Sequence, residues 1–513
     1  MNDWTDGYFT SSTYTYGYYR ELNPVYQRFC LLARGFRPPE IGPGSAHCEL
    51  GFGHGVSINI HAATSPGQYV GTDFNPSHAA QANEMATAAK SGGRFYDDSF
   101  EEMLDRSDLP QFDSISLHGI WSWISPENQG HVVEFARRFL KPGGVLYNSY
   151  NCFPGWAPAS PMRELFVLYD KYAPSGAATF QRVEAALKFT ERMLAAHPLY
   201  AESVPAVKDV FEKARQRDHD YLAHEYFNRD WICPYFTDVV EILQPAKLDF
   251  ACTAFLMDFM DKLNLSQEAI DFLGTIENPV MREQARDYFV NRQFRKDYFV
   301  RGLRPLPAGE RTQKLLETRY VLTTTEDISS SFKVMAGDAA FPDEIYQPVV
   351  EYLRSQDYAP KDFQDFGAVH PEVSPENVVK TLITLVSRNL VAPCQDVAAE
   401  KAAKPRCDAL NAFFCERAKS AGEIPYLASP LTGGAVEIGP HEQLFLAVYR
   451  QKKRNAAALA QAVWDVFSRR GQKLVTPDRG KLETPEENIA ELTKLAGDFL
   501  QKNLPVLKMT HIF

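Results

Sequence analysis

Residues 48–60 read CELGFGHGVSINI, an acid followed by glycines at every second position near the end of a short apolar run. Glu49, Gly51, Gly53 and Gly55 would let bare backbone approach a ligand, because glycine carries no side chain and tolerates left-handed turns. Two more acids end later apolar runs: Asp73, with Phe74 after it, and Asp98, with Ser99 and Phe100 after it. A dinucleotide fingerprint would need its third glycine at the start of the helix, where this chain has Val56. A phosphate loop would end in Gly-Lys-Ser/Thr, which does not occur here.

What remains is acid-x-Gly-x-Gly-x-Gly, with an acid closing the next strand. That pattern suits S-adenosylmethionine. The glycine turn admits its methionine part, and the following helix N-terminus favours its carboxylate. Asp73 can accept hydrogen bonds from both ribose hydroxyls, strong because they are charge-assisted. Asp98 is placed for the adenine amino group and Phe100 for the face of the ring. Packing alone also selects glycine in turns, so the weight lies on three motifs ending successive strands, the edge where open α/β sheets bind ligands.

Those motifs need a parallel sheet to position them. AHCELG (46–51), QYVGTDF (68–74), GRFYDD (93–98), FDSISLHG (112–119) and GVLYNSY (144–150) are runs of strand length. Helical stretches at 78–90, 101–105 and 127–140 separate them, and the Pro-Gly-Gly of LKPGG ends the last. The alternation predicts an α/β, Rossmann-like doubly wound sheet. Residues 160–225 lose the β rhythm and read as a helical insertion. Residues 235–255 resume helix, turn and strand, and 291–302 offer a last strand. After about residue 310, helix, helix and apolar edge over 344–393 resemble a winged helix.

The chain of 513 residues is too long for one core, and its 45% apolar and 23% charged residues fit a folded protein. A net charge of −11 disfavours nucleic acid as a partner. The run Arg450, Lys452, Lys453, Arg454 reads most economically as a solvated helix face. Eight cysteines without CxxC pairing or metal-ligand spacing suggest free thiols in a reducing cytoplasm, and no metal is expected. No basic, apolar leader opens the chain, and no apolar stretch approaches membrane-spanning length, so no membrane partner is expected.

The sequence also resembles a known family. YGYYRELNPVYQRF (16–29), CELGFGHG, GTDFNPSHAAQA (71–82), FDSISLHGIWSWISPENQ (112–129), KPGGVLYNSYNCFPGW (141–156), HEYFNRDW (224–231), NRQFRKDYFVRG and YLASPLTGG (426–434) are similar to class I S-adenosylmethionine-dependent methyltransferases. The resemblance is closest to the bacterial group with a methyltransferase regulatory domain, which includes rickettsial protein-lysine methyltransferases. It implies four regions: a cofactor domain (1–159), a helical insertion (160–225), the remainder of the core with the regulatory part (226–310), and a winged-helix-like α+β domain (311–513). It also implies pairing of two copies through the helical part. Carried over, Glu49, Gly51, Gly53 and Asp73 match cofactor-binding positions and Asp98 and Ser99 the adenine position. His118 stands where a backbone carbonyl meets the methionine amino group. Phe52 departs from the family, which often has Cys there.

For the acceptor, an aromatic, water-poor pocket near a carboxylate would favour a deprotonated amine. The cluster Tyr14, Tyr16, Tyr18 and Tyr19 could fold over the site as a lid or pack on the core. Trp121 and Trp123 follow the fourth strand, one expected as pocket wall and the other as core. Tyr150 and Asn151 end the fifth and are expected to face the same edge. His224 and Glu225 stand in HEYFN, which lacks the second histidine of a zinc-protease helix. The catalytic candidates are therefore Tyr14, Tyr18, Trp121, Tyr150, His224 and Glu225. Cys394 comes too late in the chain for a cytosine methyltransferase nucleophile, and SLHGIW replaces the loop of adenine methyltransferases. Three functions stay open: methyl transfer to lysine of a protein, methyl transfer to a small metabolite, and a cofactor-sensing DNA-binding regulator, the last opposed by the acidic charge.

Overall fold

The structure is a computed structural model. It describes residues 16–513 apart from 173–178, 218–221, 223–224, 226–227, 335–336, 421 and 479. Its principal sheet has, among the described residues, seven strands: β1 (Ala46–Leu50), β2 (Gln68–Thr72), β3 (Arg94–Tyr96), β4 (Phe112–Leu117), β5 (Leu140–Asn151), β6 (Leu248–Thr253) and β7 (Phe294–Arg301). Their order is β3-β2-β1-β4-β5-β7-β6, and β7 runs antiparallel to both its neighbours. The order reverses at β1 and β4, so the β1 turn opens at a crevice between diverging connections.

Local sequence sets the helix starts. Asn23-Pro24 opens α1 (Pro24–Arg34), Asn75-Pro76 opens α3 (Pro76–Ala89), and Ser125-Pro126 opens α5 (Pro126–Phe139). In each, a side-chain oxygen accepts an otherwise unpaired N–H of the first turn, and proline supplies a helical φ where its missing donor costs nothing. Ser99 and Glu102 form a reciprocal capping box at α4 (Phe100–Asp105). By contrast α2 (Val56–Thr64) follows Gly55 and has no side-chain cap.

Both faces of the sheet are covered. Leu146, Tyr150 and Phe299 pack on α5 and the helix Phe236–Leu243. Val145, Tyr147, Tyr298 and Val300 pack on α1 and on residues 306–391. Residues 145–151 therefore alternate strictly, odd numbers to one face and even numbers to the other. Residues 160–215 form helices with a core of their own, including Met162, Phe166, Val183 and Phe211.

The region after residue 311 is divided between two cores. Residues up to Val391 share the core of α1, whereas residues from Ala403 onward enclose Val56, Ile60 and Ala63 of α2. The helix, helix, edge order expected over 344–393 occurs as Asp343–Tyr358, Pro375–Ser387 and a strand Val391–Pro393 paired with Tyr320–Leu322. No helix among the described residues is long and apolar enough to cross a membrane.

Beneath the sheet lies a buried ionic cluster. Arg295 reaches Asp287 (2.6 Å), Asp297 (2.7 Å) and Glu283 (2.9 Å), and the Tyr150 hydroxyl donates to Asp297 (2.7 Å). Removing the guanidinium would strand buried carboxylates. Arg295→Ala is expected to lower the unfolding free energy by about 3–5 kcal/mol, and Tyr150→Phe by about 1 kcal/mol. Urea denaturation checks both; equal effects from the two would mean that the charge is not what the cluster needs.

Candidate functional site

The turn after β1 is left-handed at each glycine, with φ of 73° at Gly51, 58° at Gly53 and 73° at Gly55. A Cβ on Gly51 would lie 2.4 Å from Ile120 Cδ1, and one on Gly55 would lie 2.6 Å from Ala82 Cβ. These two glycines thus serve packing as well as backbone conformation. Gly53 leaves its N–H for Asp73, donating to Oδ2 at 2.8 Å. Asp73 Oδ1 takes the Asn75 N–H (3.1 Å) and lies 3.0 Å from His78 Nδ1. The acid that closes β2 therefore ties the glycine turn to the start of α3.

Glu49 differs. It is 6% exposed, and its carboxyl has no hydrogen-bond partner among the described residues. Burial, and then the neighbouring Asp73, push its pKa well above the ordinary carboxylate range. A buried carboxyl without a donor, beside an uncapped helix N-terminus, is an environment that a ligand with both an ammonium and a carboxylate would satisfy. S-adenosylmethionine carries both, and the residues fit it.

At the next strand end, Asp98 is paired with Arg106 at 2.8 Å, and that guanidinium lies 3.6 Å over the Tyr96 ring. Ser99 is engaged as a cap: its hydroxyl accepts from Glu102 N–H (3.2 Å) and its own N–H donates to Glu102 (2.8 Å). Phe100 starts α4 and packs on the core beneath. Asp98, Ser99 and Phe100 thus each already have a local partner: Arg106, Glu102 and the core. Phe74 follows Asp73 half-buried.

The N-terminal segment crosses this edge. Tyr16 stacks on His54 (4.1 Å between ring centres), and its hydroxyl accepts from Gln81 (3.1 Å). Tyr19 stacks on His118 at 3.6 Å, and its N–H donates to Ser57 Oγ (3.0 Å) in the first turn of α2. Tyr16 thus lies against the glycine turn, and Tyr19 against His118 and the first turn of α2. Tyr14 lies outside the described residues. Tyr18 turns away, packing on His61 and Tyr426 at the seam with the C-terminal region.

His118 ends β4 with Nδ1 2.9 Å from the Tyr147 hydroxyl. Burial pushes its pKa down to about 3, so the ring is neutral. On the same sheet face stand Ser149 and Asn151 of β5, opposite Lys296 and Phe294 of β7. Burial alone would raise Glu21, but its 2.7 Å pair with Lys296 holds it below the ordinary range. Half-buried Glu225 stands by the same wall, beside Asn151. Burial raises its pKa to about 7 against the opposing pull of Arg163, Asn151 and Arg217.

Two expected acceptor residues are elsewhere. Trp121 is wholly buried in the core of the α5 face, and Tyr150 is 1% exposed beneath the sheet on Asp297. The physical reason is the strand period: Tyr150 and Asn151 point to opposite faces, and only Asn151 meets the crevice side. His224 lies outside the described residues. Sequence reasoning missed Glu21, His54, His78, Tyr147 and Lys296. The two histidines sit inside quoted motifs and were within reach; the Glu21–Lys296 pair spans 275 positions and has no local signal.

Comparison with known proteins agrees with this geometry. Residues 48–146 match the family described as "Methyltransferase domain", and residues 218–301 match "Predicted methyltransferase regulatory domain". The protein sll1526 of Synechocystis sp. is 36% identical over 507 residues, covering 98% of each chain. RP789 of Rickettsia prowazekii is 24% identical over 280 residues, 54% of this chain and 49% of that protein. Among solved structures, PKMT2 from Rickettsia typhi in complex with AdoHcy is similar with a TM-score of 0.70 at 19% identity, covering 96% of this chain and 99% of that one.

Two outcomes follow from the carboxylates. Asp73→Ala would remove the acceptor expected for ribose and also frees the glycine turn, so cofactor affinity should fall about tenfold or more; unchanged calorimetric affinity would remove Asp73 from the site. Glu49, raised in the free protein, should ionise when a cation arrives. Cofactor binding then releases a proton, and affinity rises as pH approaches the raised value from below. Calorimetry in two buffers of different ionisation heat should show that release in the wild type and none in Glu49→Gln.

Proposed function

Because this chain belongs to the class I S-adenosylmethionine-dependent methyltransferases that carry a methyltransferase regulatory domain, we propose that it N-methylates lysine side chains of a protein substrate. The observation that carries the reading is Glu225, a half-buried carboxyl beside Asn151 at the end of β5, pushed up to about 7 by burial. A lysine reaches the site as an ammonium and must lose a proton before it can attack. A base with pKa near the working pH both collects that proton and is free to do so.

Bound S-adenosylmethionine supplies a methyl group that the acceptor nitrogen displaces in line from sulfur. The chain's own residues then have to hold, align and desolvate. Glu49, the α2 N-terminus and Asp73 would fix the donor, with Asp98 and Phe100 toward its adenine. Tyr19, stacked on His118, would close the crevice over the methionine part and exclude water. Tyr19, His118 and Phe294 would flank the aliphatic stem of the incoming lysine, and aromatic faces also favour its cationic end during entry. Asn151 would orient Glu225 toward the ammonium. Neutral His118 adds no opposing charge there.

The resemblance to rickettsial protein-lysine methyltransferases supports the acceptor class, as does the near full-length likeness in fold to PKMT2. The alternative is a small-metabolite acceptor, which the same crevice would serve. Labelled cofactor incubated with a size-fractionated extract separates the two: label in the protein range, located on lysine by mass spectrometry, is expected. Label confined below that range rejects a protein acceptor. With a lysine substrate in hand, Glu225→Gln should lower kcat about 10²–10⁴-fold, with cofactor affinity unchanged and the rise of rate through neutral pH flattened. A full-rate Glu225→Gln enzyme would remove Glu225 from catalysis.

A further inference from the structure

Far along the chain from the crevice, three helices of the C-terminal region, Val397–Arg417, Pro440–Arg450 and Ala456–Arg469, leave an open groove of about 420 Å³ between them. Its floor is apolar: Leu444, Ala447, Val448, Val463 and Val466. Around it stand four cations, Lys419, Arg450, Lys453 and Arg469, against two carboxylates, Glu416 and Asp465. Lys419 is already paired with Glu416 at 2.5 Å. Exposed Lys453 and Arg469 make no ion pair among the described residues.

The basic run read from sequence as a solvated face is therefore split in function. Arg454 turns back onto Tyr449, whereas Arg450 and Lys453 face the groove. A helix dipole favours a cation in the last turn, which accounts for Arg450 and Arg469 singly. It does not account for Lys453, beyond a helix end, turning to the same cleft with its charge uncompensated.

We propose that this groove docks an acidic amphipathic segment of a partner protein, laid as a helix with its apolar side on the floor and its carboxylates on the cationic rim. The charge pattern selects that partner. On a chain of net charge −11, an acidic segment is repelled elsewhere and attracted here, which orients encounter and fixes register. Nucleic acid fits less well, because the floor offers aliphatic side chains where unpaired bases would need aromatic plates. The inference is independent of the methyl acceptor and does not require it to be a protein.

The test uses the full chain and a fluorescein-labelled peptide of about 18 residues, long enough for a stable turn count, with leucines at helical spacing and glutamates elsewhere. Fluorescence anisotropy should show saturable binding that weakens about tenfold or more between low and high salt, as screening of exposed charges requires. The exposed double variant Lys453→Glu/Arg469→Glu should weaken it to a similar degree, and Val466→Asp should do so with less salt dependence. Circular dichroism establishes that each variant is folded. Affinity unchanged in both variants, no saturable binding, or a duplex oligonucleotide that displaces the peptide at lower concentration would each overturn the proposal.

Discussion

Two carboxylates at the ends of adjacent strands, Glu49 and Asp73, set the terms for everything near the crevice, because Asp73 raises the cost of ionising Glu49 and only Asp73 has hydrogen-bond donors among the described residues. Asp73 is satisfied by Gly53, Asn75 and His78. Glu49 is buried with no hydrogen-bond donor among the described residues. A buried charge without a partner is costly, so burial and Asp73 push this carboxyl above its ordinary range, and a cationic ligand would favour its ionised form.

That arrangement works only if the glycine turn cannot relax toward Glu49. α2, which continues the turn, is buried along its whole length. Its far end is anchored by the C-terminal region: the Thr64 hydroxyl donates to Gly433 C=O (2.7 Å), Gln395 donates to Thr64 C=O (2.7 Å), and Arg406 donates to Ala63 C=O (3.2 Å). At its near end Ser57 holds the segment that carries Tyr19. Residues more than 300 positions away therefore fix the conformation of a cofactor loop, and ordering entropy is spent in folding instead of in binding.

Much of this was legible in the sequence. Five strands, their helices and the insertion follow from period and punctuation, because a parallel sheet needs apolar runs separated by capped helices. Glu49, the glycines and Asp73 were legible because their chemistry is local to two strand ends. The acceptor side was not. Choosing Tyr150 over Asn151 needed the face to which β5 turns each residue, which only pairing with β7 settles. Choosing Tyr19 over Tyr18 needed the path of a segment without regular structure. The division of residues 311–513 between two cores was hidden for the same reason, since both halves read as amphipathic helices and their partners lie in α1 and α2.

The two sides of the crevice also differ in how they are built, and the difference follows from what each has to do. Donor residues stand on strand ends and a clamped helix, where position is fixed to within the rigidity of the core. On the acceptor side, Asn151 is fixed by the sheet, but Glu225 comes from the end of the helical insertion and Tyr19 from an irregular strap. Fixed and adaptable elements therefore meet where Glu225 stands beside Asn151. A base delivered on a separate element can be aligned by the sheet when the acceptor is in place, whereas the donor pocket must be ready before it. The strap that would cover the donor is tied to the same turn of α2 that would hold its carboxylate.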